Sequence, residues 1–125
     1  MGSDQSKLWK RAYAAVLPGA DENAARVQLR KLVNERFGRG NWAEINEQDW
    51  SIRSEVLPLD RIREFDRKHG RRNPRGFDGP LVAAEFRGHR YILDGTNRIN
   101  KWIAEGEAVD REVLIINLAS DPDET

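Results

Sequence analysis

Along the first forty residues the apolar positions recur at helical spacing. Between Gln5 and Leu17 the side chains Leu8, Trp9, Ala12, Tyr13 and Val16 fall at i, i+3 and i+4, and Pro18-Gly19 stops the run. Asp21 stands where an N-cap belongs. The stretch from there to Phe37 repeats Ala24, Val27, Leu29, Leu32, Val33 and Phe37, with Gly38 as its stop. Asn41 to Trp50 is a shorter helix candidate, with Trp42, Ile45 and Trp50 on its apolar side. These tryptophans, like Trp9, read as core anchors rather than base-stacking platforms. From Ser51 the spacing changes: Ile52 to Leu57 suits a strand closed by Pro58, and Leu59 to Lys68 suits a helix with Leu59, Ile62 and Phe65 along one face.

The remainder alternates strands with turns. His69 to Gly76 is a turn-rich loop with three arginines, Arg71, Arg72 and Arg75, read as a solvated loop. Pro80 to Phe86 forms a strand, Arg87-Gly88-His89 a tight turn, and Arg90 to Leu93 the returning strand. Asp94-Gly95 breaks that strand. A helix then runs from Thr96 to Glu105 with Ile99, Trp102 and Ile103 inward, and Gly106 ends it. Val113 to Leu118 is almost continuously apolar, as a strand buried on both faces should be. The acidic tail Asp121 to Thr125 is expected to fray. The expected class is α/β (α+β): a small mixed sheet with packed helices over residues 51–120, a helical N-terminal extension over 1–50, and the tail 121–125.

Composition narrows the chemistry. The 125 residues hold 21 basic and 21 acidic side chains, so no global field draws nucleic acid, and any such surface has to be local. There are no cysteines and two histidines, which removes disulfides, thiolate metal sites and cysteine nucleophiles, and argues against a histidine-rich metal centre. No apolar run approaches the roughly 20 residues that span a bilayer. Met1-Gly2-Ser3-Asp4 has neither the basic nor the apolar region of a secretory leader, so a cytoplasmic location is expected.

The densest chemical signal is Leu93-Asp94-Gly95-Thr96-Asn97-Arg98. A strand ends, a glycine lets the backbone turn, and a helix begins at once. The first turn of a helix has N–H groups without intrahelical partners, and its dipole favours negative charge. A glycine leaves room for an anion to approach those groups. Thr96 adds a hydroxyl, Asn97 an amide and Arg98 a planar fork suited to phosphate oxygens. Asp94 could accept a proton or hold a magnesium ion beside the phosphate, or could simply cap the helix. Arg61 is placed for a second phosphate contact or for a surface ion pair with Asp60 or Glu64. His89 reads as an exposed turn histidine.

The order of these segments resembles the ParB/sulfiredoxin superfamily. The likeness runs from Val56-Leu57-Pro58-Leu59-Asp60-Arg61-Ile62-Arg63, through Gly79-Pro80-Leu81-Val82 and Tyr91-Ile92-Leu93-Asp94-Gly95-Thr96-Asn97-Arg98, to the strand around Ile115-Ile116. It covers about residues 52–118. Members carry a "PLDxI" strand, a "PI/PLVV" strand and a "DGxHR"- or "GERR"-like turn that binds nucleotide phosphate, and some are described as nucleases. The resemblance implies ATP or CTP as the nucleotide, with Mg2+ as its companion, and makes Gly95 the turn glycine and Arg98 the phosphate-binding arginine. Some family kinases place an essential carboxylate near the helix after the first strand, which makes Asp66 a catalytic candidate beside Asp94. Two positions depart from the pattern. Thr96 stands where sulfiredoxins have their catalytic cysteine, and Asn97 where many members have histidine. Sulfiredoxin chemistry is therefore excluded, and kinase-type or nuclease-type chemistry loses support. The partition proteins of this superfamily read DNA through a downstream helix-turn-helix, which this sequence does not contain.

Two classes of function follow. One is an enzyme: a nucleotide-dependent phosphotransferase, NTPase or nuclease, phosphate held by Gly95, Thr96, Asn97, Arg98 and Arg61, with Asp94 or Asp66 doing metal or base work. The other is a non-catalytic module that binds nucleotide or nucleic acid, with residues 1–50 available to a protein partner of the plasmid-partition, regulatory or toxin–antitoxin kind. Analogy with stand-alone ParB-like domains tilts the expectation toward the enzyme.

Overall fold

The unbroken apolar run near the end of the sequence is explained by where it lies. A computed structural model describes residues 2–37, 50–67, 79–86, 88–106 and 110–118. In chain order the elements are α1 (Gly2–Val16), α2 (Glu22–Phe37), β1 (Ser51–Leu57), α3 (Leu59–Ile62), β2 (Leu81–Phe86), β3 (His89–Asp94), α4 (Thr96–Glu105) and β4 (Arg111–Asn117). The strands form one mixed sheet in the order β1-β4-β2-β3. β4 is antiparallel to β1 and parallel to β2, and β2 and β3 make an antiparallel hairpin. Lying inside the sheet with helices on both faces, β4 buries Val113, Leu114, Ile115 and Ile116 alike. The expected mixed α+β class is the one observed.

Each face builds its own core. On one, Ala12, Ala15 and Val16 of α1 and Leu29 and Val33 of α2 meet Ile52, Val82, Ala84, Phe86, Leu93, Leu114 and Ile116, with Trp50 packed at the margin. On the other, Leu59, Ile62, Phe65 and Ile99 meet Leu81, Ala83, Ile92, Val113 and Ile115. The N-terminal helices thus form a layer of the fold, sharing a core with the sheet. Polar bonds fix α1 along β1. The Ile52 N–H donates to Gln5 Oε1 at 3.1 Å, and Gln5 Nε2 donates back to the Ile52 carbonyl at 2.6 Å. Further along α1, both guanidinium Nη atoms of Arg11 engage the carboxylate of Glu112, which also accepts the Ser54 hydroxyl at 2.6 Å.

Two expectations change. In α2, Ala24 and Val27 face solvent, and the buried row is Ala25, Leu29 and Val33, one helical turn apart. The helix is rolled so that the strict i+4 row meets the sheet. The helix expected over Leu59 to Lys68 ends at Ile62. Its continuation turns over 63–65 and then pairs at Asp66 along the outer edge of β3, where Asp66 donates its N–H to the Arg90 carbonyl at 2.9 Å and accepts the Ile92 N–H at 2.8 Å. One backbone cannot serve a helix and a strand edge at once. The helix read over Asn41 to Trp50, the arginine loop and the acidic tail fall almost wholly outside the described residues.

Candidate functional site

Leu57, Arg111, Leu81 and Asp94 lie at the same end of the sheet by register. There β3 ends at Asp94 and α4 begins at Thr96, with Gly95 between them at φ +111°. Two independent constraints require glycine. The backbone is in the left-handed region, and a Cβ built there would lie 2.2 Å from Leu81 Cδ2 and 3.2 Å from Arg98 Nη2. The side of Gly95 that a Cβ would occupy is therefore filled by β2 and by Arg98. Its carbonyl accepts the Ile99 N–H at 3.0 Å, the first bond of α4, and Ile99 is fully buried beneath.

The helix start has no side-chain cap. Gly95 holds the N-cap position with no side chain to cap, and the first turn carries no acidic residue. The partial positive charge of the N-terminus is thus not offset by a carboxylate within α4's first turn. Thr96 and Asn97 are half-buried there.

Arg98 belongs partly to the architecture. Its side chain is 14% exposed, Nη1 donates to the Gly79 carbonyl at 2.6 Å, and Nη2 lies 3.5 Å from the Pro80 carbonyl. Nη2 also lies 3.4 Å from Asp94 Oδ2, a carboxylate one-third exposed. The guanidinium thereby ties the chain entering β2 to the end of β3 and to α4. This role was not visible in the sequence, because Gly79 and Pro80 reach Arg98 only through the sheet.

The other candidates divide. Arg61 sits on α3, which starts at the same end of the sheet and packs against α4, but its own partner is Glu64 at 3.9 Å, both side chains well exposed. Asp66 stands apart. It lies beside Tyr91, three residues back along β3 from Asp94, or about 10 Å at an ordinary strand rise. Its Oδ2 is 2.9 Å from His89 Nε2, and the His89 ring meets Tyr91 edge-on at 4.8 Å. The histidine read as an idle turn residue is thus paired. Arg67, which no motif marks, pins the segment after α3 by donating to Asn100 of α4 and to the carbonyls of Arg63 and Phe65.

A magnesium ion held by protein alone finds no cage: among the described residues no three histidine, cysteine or carboxylate side chains cluster. An ion arriving with nucleotide phosphates needs only one or two carboxylates, and Asp94 lies directly before the start of α4. Among the described residues no helix is long and apolar enough to cross a membrane. No protein-family model, curated protein or solved structure matches the chain.

Proposed function

We propose that this chain is a phosphate-binding domain of the ParB/sulfiredoxin kind, holding the phosphate of a nucleotide or of nucleic acid at the N-terminus of α4. The observation that carries the reading is the Gly95 turn. It presents a first helical turn that has no side-chain cap at its N-cap and no acidic residue, with Arg98 fixed beside it by backbone carbonyls. A fixed guanidinium loses little freedom on meeting an anion, and its position next to helix N–H groups matches the needs of phosphate oxygens. Thr96 and Asn97 supply neutral donors, and Arg61 on the neighbouring helix lies within the same end of the fold.

Binding is favoured over turnover. Of the two carboxylates put forward for catalysis, Asp66 is engaged with His89 and lies roughly 10 Å along β3 from Asp94. Asp94, the other, is itself 3.4 Å from Arg98 Nη2.

Asn97→Asp separates the site from the fold. A carboxylate in the first turn of α4 interacts well with the helix dipole, so the chain stays folded, yet it repels phosphate. Titration with ATP, CTP and a short single-stranded oligonucleotide, with and without magnesium, should give saturable binding to wild type and none to the variant. Equal binding by both would overturn the assignment. Product formation that disappears in Asp94→Asn would move the protein to the enzyme class. Steep weakening with salt would mark a polynucleotide, and a shallow dependence a single nucleotide.

A further inference from the structure

The sheet has two edges, and they are treated differently. An edge strand leaves every second N–H and C=O without a ladder partner, and folds either cover such an edge or pair it. On β3 the backbone of Asp66 supplies the cover. On β1, among the described residues, the cover is the Gln5 side chain, which takes both the N–H and the C=O of Ile52. Since those groups point away from β4, the alternation of an antiparallel ladder turns the backbone groups of Ser54 and Val56 outward too. Among the described residues only Gln5 bonds this edge, and the Val56 side chain beside it is 65% exposed.

Ser51–Leu57 is also its own complement. Antiparallel pairing about a two-fold axis through Ser54 sets Ser54 against Ser54 of the second copy, Ile52 against Val56, and Arg53 against Glu55. Ile52, Ser54 and Val56, whose backbone groups point outward, then oppose one another as hydrogen-bonded pairs. Arg53, which within one copy bonds Glu55 at 3.1 Å and Glu85 at 3.0 Å, then also faces Glu55 of the second copy at the closer positions, where Cα atoms stand about 4.5 Å apart and opposite charges stabilise. A slip of two residues in either direction would put Glu55 against Glu55 or Arg53 against Arg53. Charge thus selects the register that backbone parity allows, and in it the exposed Val56 packs beside Ile52 of the second copy.

We propose that the outer edge of β1 is an interface for a second copy of this chain, held closed by Gln5. The Gln5 amide occupies the two backbone groups through which Ile52 would pair with Val56 of the second copy. Each copy must release Gln5 before the full ladder forms, so association is opposed in the wild type and strengthened once the amide is gone. The phosphate reading above plays no part in this proposal.

Sedimentation velocity over a concentration series tests it on the full chain. Gln5→Ala should dimerise with a Kd roughly tenfold or more below that of wild type. Adding Val56→Pro, which removes an outward N–H but no bond to β4, should cancel the gain. A Gln5→Ala chain that associates no better than wild type overturns the proposal, as does association that survives Val56→Pro. Because the chain has no cysteine, Ser54→Cys gives a second readout that leaves Gln5 in place. The introduced thiols would face each other across the axis with Cα atoms about 5.5 Å apart, within disulfide range. Covalent dimer under mild oxidation that is lost on adding Val56→Pro supports the interface, and monomer that persists when Gln5→Ala is added to Ser54→Cys overturns it.

Discussion

At the scale of single residues, Gly95 shows how a local signal and a tertiary constraint coincide. Asp-Gly after a strand marks a turn in the sequence, and the turn is there at φ +111°. That Leu81 fills the space where a Cβ would go could not be read locally, since the contact crosses from β3 to β2. Gly95→Ala should therefore cost more than the roughly 1–2 kcal/mol of a left-handed alanine, because Leu81 must also shift. Urea denaturation of the variant checks this, and a loss under about 1 kcal/mol would mean that the turn relaxes freely. Asn97→Asp should move the other way, gaining about 0.3–1 kcal/mol from the helix dipole while abolishing phosphate binding. A variant that loses both stability and binding would point to a structural role for the amide. Arg98 was legible as a guanidinium near a helix start but not as a clamp on Gly79 and Pro80.

At the scale of elements, capping and periodicity carried most of the reading, and it failed where tertiary pairing prevailed. Asp21 caps α2 as its position promised, accepting the Ala24 N–H on Oδ1 at 2.7 Å. Since α2 buries Leu29 and Val33 against α1 and the sheet, loss of the cap should register in global stability. Asp21→Ala is expected to cost about 1 kcal/mol, read from the urea midpoint with an unchanged slope. An unchanged midpoint would show the first turn of α2 to be uncoupled from the core. The apolar residues of α2 were seen, but Ala24 and Val27 were given to the wrong face. A stripe with few large side chains leaves the helix's roll to be set by the α1 row it meets. The α3 helix was overextended for a related reason. Leu59, Ile62 and Phe65 fit a helical row, and all three are buried, yet Asp66 is claimed by the β3 edge. Nothing within that segment announces a partner more than twenty residues away.

At the scale of the whole molecule, polar contacts join α1 to the sheet, and one of them titrates. Arg11 and the Ser54 hydroxyl bond the Glu112 carboxylate and hold its pKa below the ordinary value of 4.5. Arg11 is pushed further up by the same carboxylate and stays charged throughout the acid range. A carboxylate depressed in the folded state binds fewer protons there than in the unfolded chain, so stability rises with pH across the interval between its two pKa values. The contribution of Glu112 is complete above about pH 5 and falls away as the pH drops through its folded pKa. Both partners remain partly in water, with side chains 44% and 30% exposed, so the pair is worth no more than about 1 kcal/mol and weakens with salt. Glu112→Gln keeps the size of the side chain and removes the titration. Wild type should then be the more stable at neutral pH, with the difference shrinking as the pH falls below 4.5 and through the folded pKa of Glu112. A difference that stays constant over that range would place the value of Glu112 in packing against Arg11 rather than in charge. The charge would then have no part in holding α1, with its Gln5, against the edge of β1.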